Sequence, residues 1–329
     1  MKNNSFHFGT IYLKVTPNCN LSCSHCYAHK LQNEFRISLD KDFYNFANQF
    51  DDLNIIFHGG EPLYFGADYI IKLIDNLNTN LKDKLNQISI TTNLITTKKE
   101  LNKISPYFDS IGTSWNSGKV RFTNDKILKI WEDNIKYLNK LNKIITVNIT
   151  LTEDLVSYSY EQILDLIKYF NSLNINYINL EFLYTEEPYS DLFKDNINRF
   201  LTNWYHIYKE LQPNLNFIDV LLLSIQECKQ GKKSGIFCHN CSKTVWSVDV
   251  FGNINGCPND EKNIFGRLSD QESCKLNNLL EIRKQERLFE LTTSKECLGC
   301  KNFSWCRGGC IKVNRFGCIY PKDLFQELV

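Results

Sequence analysis

Hydrophobic and polar positions in the first half of the chain follow two alternating periods. Residues 10–16 (TIYLKVT) alternate with a period of two and are rich in β-branched side chains, which predicts a strand. Similar patterns predict strands at Asn54–His58, Ile88–Thr92, Ser110–Trp115, Ile144–Leu151 and Tyr177–Leu183. Between them the period lengthens. Over 124–142, Ile127, Trp131, Ile135, Leu138 and Leu141 share one helix face. Further helical patterns lie near 69–79, 98–104 and 160–173. Strands that alternate with helices wind a parallel sheet, because each parallel crossover needs an intervening segment long enough to hold a helix. Six such units are too few to close an eight-stranded barrel. The expected fold class is therefore α/β, a partial (β/α)6 TIM-like barrel whose functional loops follow the strand C-termini.

Residues 189–228 read as amphipathic helix punctuated by Pro213. From GKKSG at 231–235 onward, glycine and cysteine become frequent and regular periodicity weakens. The expected organisation is a barrel over 1–190, a helical bridge over 191–235 and a cysteine-rich domain over 236–329.

Charge narrows the class. Among 329 residues, 38 basic side chains face 37 acidic ones, a net charge of +1. No strong field draws the chain to nucleic acid or to an anionic membrane, and neither partner is expected. No apolar run approaches the roughly 20 residues of a bilayer span. The start, MKNNSFHFGT, lacks the regions of a secretory signal, so a cytoplasmic location is expected. Thirteen cysteines are an odd number and cannot all pair within one chain. Three lie at 19–26, none between 27 and 227, and ten between 228 and 318. Clustered thiols in a reducing compartment point to metal.

The segment after the first strand reads TPNCNLSCSHCYA, which spaces Cys19, Cys23 and Cys26 as C-x3-C-x2-C. Three thiolates on one short loop suit a [4Fe–4S] cube with one iron left open; a zinc loop is the alternative on spacing alone. The loop after the second strand is Gly59-Gly60-Glu61-Pro62, where glycines permit close backbone approach and Glu61 offers a charge-assisted acceptor to an ammonium group.

CNLSCSHC together with GGEP resembles the radical S-adenosylmethionine (SAM) superfamily, over residues 10 to about 185. The resemblance implies that Cys19, Cys23 and Cys26 hold the cluster and that Gly59, Gly60, Glu61 and Pro62 bind the SAM amino group. It implies SAM contacts for Asn93 of Thr92-Asn93, for Ser114, for Arg121 and for Leu183 at the end of the sixth strand. Ser114-Trp115-Asn116-Ser117 departs from the Ser-x-Asp-Gly of relatives. The implied chemistry is reductive cleavage of SAM to methionine and a 5′-deoxyadenosyl radical that abstracts a substrate hydrogen.

The back third resembles the SPASM domain, named for subtilosin, PQQ, anaerobic sulfatase and mycofactocin maturation enzymes. Cys241, ten residues, Gly252, four residues and Cys257 are followed by Cys297-x2-Cys300-x5-Cys306-x3-Cys310 and by Cys318. By that resemblance a first auxiliary [4Fe–4S] cluster takes Cys241, Cys257, Cys310 and an upstream thiol, Cys238 or alternatively Cys228. A second takes Cys297, Cys300, Cys306 and Cys318, bringing the expected cofactors to SAM and three [4Fe–4S] clusters. In sulfatase-maturing relatives an aspartate follows the matching cysteine; here Pro258 stands there, and Asp260 is the nearest candidate base, with a solvated loop acid as its alternative.

The function these features imply is modification of a peptide or protein side chain, giving an oxidised or cross-linked (thioether, C–C or ether) product in a ribosomally made peptide. The alternatives are formylglycine formation as in sulfatase maturases, a small-molecule oxidation, and a non-enzymatic zinc-binding interaction module. With 18 residues before Cys19, substrate recognition is expected from the barrel mouth, the bridge or a separate leader-binding protein. The electron donor is expected to be a flavodoxin or ferredoxin.

Overall fold

The β-branched run near the start of the chain becomes a strand flanked by parallel neighbours on both sides. The computed structural model describes residues 7–26, 34–185, 187–232, 234–235, 241–260, 262–293, 295–314, 317–320, 322 and 324–327. Among them are strands β1 (Phe8–Thr16), β2 (Asp52–Gly59), β3 (Leu85–Thr91), β4 (Ser110–Trp115), β5 (Ile144–Leu151), β6 (Tyr177–Phe182), β7 (Ile218–Asp219), β8 (Val245–Val248), β9 (Asn253–Asn255) and β10 (Ile264–Arg267). All six expected strands are present, and the fold is mixed α/β with a parallel sheet. The chain divides into two compact units. The first comprises Met1–Thr113, Lys140–Lys143 and Ser242–Gln285; the second comprises Ser114–Asn139, Ile144–Cys241 and Glu286–Val329.

In the first unit the strand order is β10-β9-β8-β1-β2-β3-β4. Strands β8 through β4 run parallel, while β9 and β10 turn back antiparallel. Ile11 pairs with Ile55 and Leu13 with Phe57 on one side of β1, and the same residues pair with Trp246 and Val248 on the other. All six are fully buried, each contributing about 1.5–3 kcal/mol of apolar burial. The intervening Tyr12, Lys14 and His58 use the opposite face, where the rings of Tyr12 and His58 meet edge-on at 5.4 Å. The β1–β2 register shifts between Lys14 and Thr16, at the end from which the cysteine loop departs.

In the second unit β5, β6 and β7 are parallel in that order. Val147 pairs with Ile178, Ile149 with Leu180 and Leu151 with Phe182 on the buried face; Asn148 pairs with Asn179 and Thr150 with Glu181 on the other. Helix Tyr160–Ser172 opens with a capping box between Ser159 and Gln162. The expected helical bridge is helix Asp191–Leu211 and helix Val220–Lys229, separated by β7. That two-residue strand exists through its pairing with β6 (Tyr177 with Ile218) rather than through local pattern. Asp219 then starts the next helix. Its buried carboxylate accepts from Leu222 N at 2.7 Å and Trp204 Nε1 at 2.8 Å, and burial pushes its pKa up to about 6.

Helix Leu276–Thr293 was not expected. Its apolar side chains do not keep to one stripe: Leu276 and Leu279 are buried, whereas Ile282 and Leu288 are exposed. No helix among the described residues is long and apolar enough to cross a membrane.

Candidate functional site

Two strand-end loops of the first unit are built against each other. Gly60 N donates to Thr16 O at 2.7 Å and Glu61 N to Asn18 O at 2.8 Å, so the loop after β2 hydrogen-bonds to the start of the cysteine loop. This needs glycine. A Cβ on Gly60 would lie 2.3 Å from Asn18 O, and one on Gly59, whose φ is +125°, would lie 2.5 Å from Thr16 O. The close approach that the glycine pair permits is thus to the chain's own cysteine loop. Pro62 follows as the first residue of a short 3-10 turn and is buried.

Glu61 is 2% exposed, and its carboxylate is engaged by three donors. Oε1 accepts from Leu63 N at 2.9 Å and Thr92 Oγ1 at 2.7 Å; Oε2 accepts from Asn93 N at 2.7 Å. Asn93 carries the connection onward. Its Nδ2 donates to Asn20 Oδ1 at 2.7 Å and lies 3.5 Å from Cys19 Sγ. Leu21 N donates to the same sulfur at 3.4 Å. Burial raises the Cys19 thiol pKa; the bond from Leu21 opposes it, Glu61 adds to it, Asn93 opposes it, and Cys23 adds to it. Cys23 is half-buried and Cys26 exposed, and a 3.2 Å bond from Cys26 N to Cys23 O turns the loop between them. N–H groups of Leu21 and Asn93 aimed at the Cys19 sulfur, with Cys23 close enough to affect it, suit a thiolate that holds an iron of a cube, and the same loop carries Cys26.

The second unit holds a separate polar group at the ends of β4 and β6. Arg121 Nε donates to Asn116 Oδ1 at 2.9 Å. Asn116 is 1% exposed, and its Nδ2 has no hydrogen-bond partner. Ser114 is half-buried on β4, and Leu183 accepts at its carbonyl from Tyr189 Oη at 2.6 Å. Glu181 accepts from Asn179 Nδ2 at 3.0 Å. Burial pushes its pKa up to about 7, against the lowering effects of that bond and of Arg121. An arginine beside a buried amide donor suits a carboxylate ligand, and a carboxyl poised near neutrality suits proton transfer. Asn116 and Glu181 escaped the sequence reading. For Asn116 the signal was present, because it occupies the Asp position of Ser-x-Asp-Gly; for Glu181, strand alternation alone gave no reason to prefer it.

The C-terminal thiols fall into groups. Cys297, Cys300, Cys306 and Cys318 line one cavity with Glu296, Asn302, Phe303 and Phe325, around about 320 Å³ of atom-free space partly open to solvent. Burial pushes Cys306 up to about 12, and Cys318, Cys297 and Cys300 add to the rise. Four thiols around one cavity fit a fully ligated cube. Cys310 is pushed up to about 11 by burial and next by Cys241, so those two thiols are also near each other. The Cys310 backbone N–H donates to Tyr320 Oη at 2.7 Å, and Gly309 makes room, since a Cβ there would sit 2.1 Å from the Tyr320 ring. Cys257 is half-buried in the first unit. Cys238 lies outside the described residues. Its alternative, Cys228, is buried on helix Val220–Lys229 and donates to Ser234 O at 3.0 Å. Asp260 is 2% exposed rather than solvated. Oδ1 accepts from Lys262 N and Asn263 N at 3.3 Å each and Oδ2 from Asn263 Nδ2 at 2.6 Å, an arrangement that braces a turn. Among the described residues no three His, Cys, Asp or Glu side chains converge on a single metal ion, and a cube, whose cysteines each bind a different iron, does not require them to.

The model of the Radical SAM superfamily matches residues 13–193. An uncharacterized protein of Methanocaldococcus jannaschii is 24% identical over 300 residues, covering 87% of this chain and 98% of its own. A cysteine-type anaerobic sulfatase-maturating enzyme of Clostridium perfringens is 22% identical over 339 residues, covering 90% of this chain and 86% of its own. Among solved structures, anSMEcpe with bound AdoMet (SAM) and Cp18Cys peptide superposes with a TM-score of 0.77 at 18% identity, over 97% of this chain and 94% of the other.

Proposed function

The chain belongs to the radical SAM superfamily, and we propose that this enzyme uses SAM to remove hydrogen from a peptide or protein side chain. Family membership excludes the non-enzymatic zinc module. The observation that carries the substrate class is the likeness over nearly the whole chain to a structure holding both AdoMet and a peptide, supported by a sulfatase-maturating relative.

In this reading Cys19, Cys23 and Cys26 hold the SAM-binding [4Fe–4S] cluster. By the family resemblance the Gly59–Pro62 loop receives the amino group of SAM, Asn93 lies toward its ribose and carboxylate, Arg121, with Asn116 beside it, receives its carboxylate, Ser114 is a further SAM contact, and the chain at Leu183 flanks its adenine. When bound and reduced, the cluster would supply the electron that cleaves SAM to give a hydrogen-abstracting radical. The chain's own residues bind, orient and exclude water. Glu181 is the proposed proton acceptor, since a product that loses hydrogen also releases a proton and this carboxyl is poised to change protonation near neutrality. Cys297, Cys300, Cys306 and Cys318 hold one auxiliary cluster, supported by their shared cavity. Cys241, Cys257 and Cys310, with Cys238 as fourth, hold another. A fully ligated cluster suits acceptance of the electron that an oxidised product gives up.

The product is an oxidised or cross-linked peptide; formylglycine formation is the second reading, favoured by the sulfatase-maturating relative. A flavodoxin or ferredoxin as donor, and a separate leader-binding partner, belong to the same proposal. The test is anaerobic incubation of the reduced, reconstituted protein with SAM and peptides containing Cys, Ser, Tyr or Asn. The expected result is 5′-deoxyadenosine with loss of two hydrogens from a peptide. 5′-Deoxyadenosine formation with no peptide changed, and a small molecule changed instead, would overturn the substrate class.

A further inference from the structure

We infer that Asn93 sets the reduction potential of the cube held by Cys19, Cys23 and Cys26, and that Glu61 is the positioning residue that aims it. The inference rests on the reading of that loop as a cluster site. Every polar group of the Asn93 side chain has a defined partner. Nδ2 donates to Asn20 Oδ1 at 2.7 Å and points its second proton toward Cys19 Sγ at 3.5 Å, while Oδ1 accepts from Ile95 N at 2.8 Å. A flipped amide would set its oxygen against Asn20 Oδ1 and its NH2 against the Ile95 N–H, so the network fixes which end faces the sulfur. Asn20 is itself tied down, with Nδ2 donating to Ile95 O at 2.8 Å.

Glu61 holds this arrangement from behind. Its buried carboxylate takes Asn93 N, Thr92 Oγ1 and Leu63 N at 2.7–2.9 Å, filling three of the roughly four acceptor positions a carboxylate has. Thr92 Oγ1 in turn accepts from Leu94 N at 3.2 Å, closing the turn that carries Asn93. The acid of the Gly-Gly-Glu-Pro run therefore acts inside the protein, bracing the loop after β3 against the loop after β2. An N–H aimed at a cluster thiolate stabilises the more negative, reduced state and raises the potential.

The test is an EPR-monitored redox titration of the full, reconstituted chain without SAM. The relevant signal is the one absent from the Cys19→Ala/Cys23→Ala/Cys26→Ala variant. Asn93→Asp, which keeps the shape, and Asn93→Ala are expected to retain the wild-type iron content. At fixed potential their reduced-to-oxidised ratio should fall about tenfold, which for a one-electron couple is about 59 mV toward negative potential. Glu61→Gln is expected to shift the same signal in the same direction by less. An unchanged potential in both Asn93 variants with the cube intact would overturn the inference, as would loss of the cube in both. Glu61→Gln that weakens SAM binding but leaves the SAM-free potential unmoved would overturn the positioning role. If the wild type gives no signal dependent on those three cysteines, the underlying reading fails instead.

Discussion

The loop after β1 and the cavity between Glu296 and Phe325 both collect thiols, but they surround them differently. The front loop offers three cysteines, one of them exposed, with N–H groups directed at the Cys19 sulfur. The back cavity is lined by four, and the most buried, Cys306, is affected by the other three. A polar network of Glu61, Thr92, Asn93 and Asn20 backs the front site. The back site is lined by Phe303, Phe325 and its own cysteines and is partly open to solvent. In the proposed reading, ligand count separates a front site that can take a further molecule from a back site suited to holding charge.

The largest effect that can break this comparison is loss of a front thiol. Cys19→Ala is expected to abolish 5′-deoxyadenosine formation, read by chromatography after reduction; persistent formation would remove the front site from the chemistry. Next, Cys300→Ala should lower iron by about four atoms per chain while sparing the front cube. Iron analysis and the surviving SAM-sensitive signal check this. Gly60→Ala should then disturb the front site alone. The new Cβ meets Asn18 O, and overpacking of this kind costs about 1–3 kcal/mol. The measurements are urea unfolding of the metal-free protein and retention of the front cube.

A smaller, pH-dependent effect belongs to Glu181. Its pKa in the folded chain is raised to about 7 from the ordinary 4.5, so folding takes up a proton between those values. The stability this proton contributes is full below about pH 4.5 and is lost as pH rises through about 7. Glu181→Gln should remove that loss. Relative to wild type, the variant should gain about 1–3 kcal/mol between pH 5 and pH 8 in denaturant titrations. Parallel stability curves for the two proteins would show that Glu181 is not held near neutrality.

Much of the fold is legible in the chain because local pattern and tertiary role agree. Strands β1, β2, β5 and β6 carry alternation that the sheet uses directly, as at Ile11, Leu13 and Val15 in β1, whereas in β3 only Ile90 is buried. The failures have physical causes. β7 is two residues long and depends on β6 for its hydrogen bonds, so no window of sequence contains its signal. Helix Leu276–Thr293 scatters its apolar residues around its axis, which hides the period. At the site, the cysteines and the glycine pair are visible because spacing and residue type are local. The partners of Glu61 are not: Thr92 and Asn93 lie about thirty positions away and arrive by folding. Asn116 and Glu181 are legible only once β4 and β6 fix which side chains share a face.

The most direct test is EPR of the dithionite-reduced, reconstituted chain with and without SAM, run beside Cys19→Ala and Cys300→Ala. The account predicts that SAM alters only the signal missing from Cys19→Ala, and that the signal missing from Cys300→Ala is indifferent to it. A SAM response that disappears with Cys300, or that survives the loss of Cys19, would contradict it.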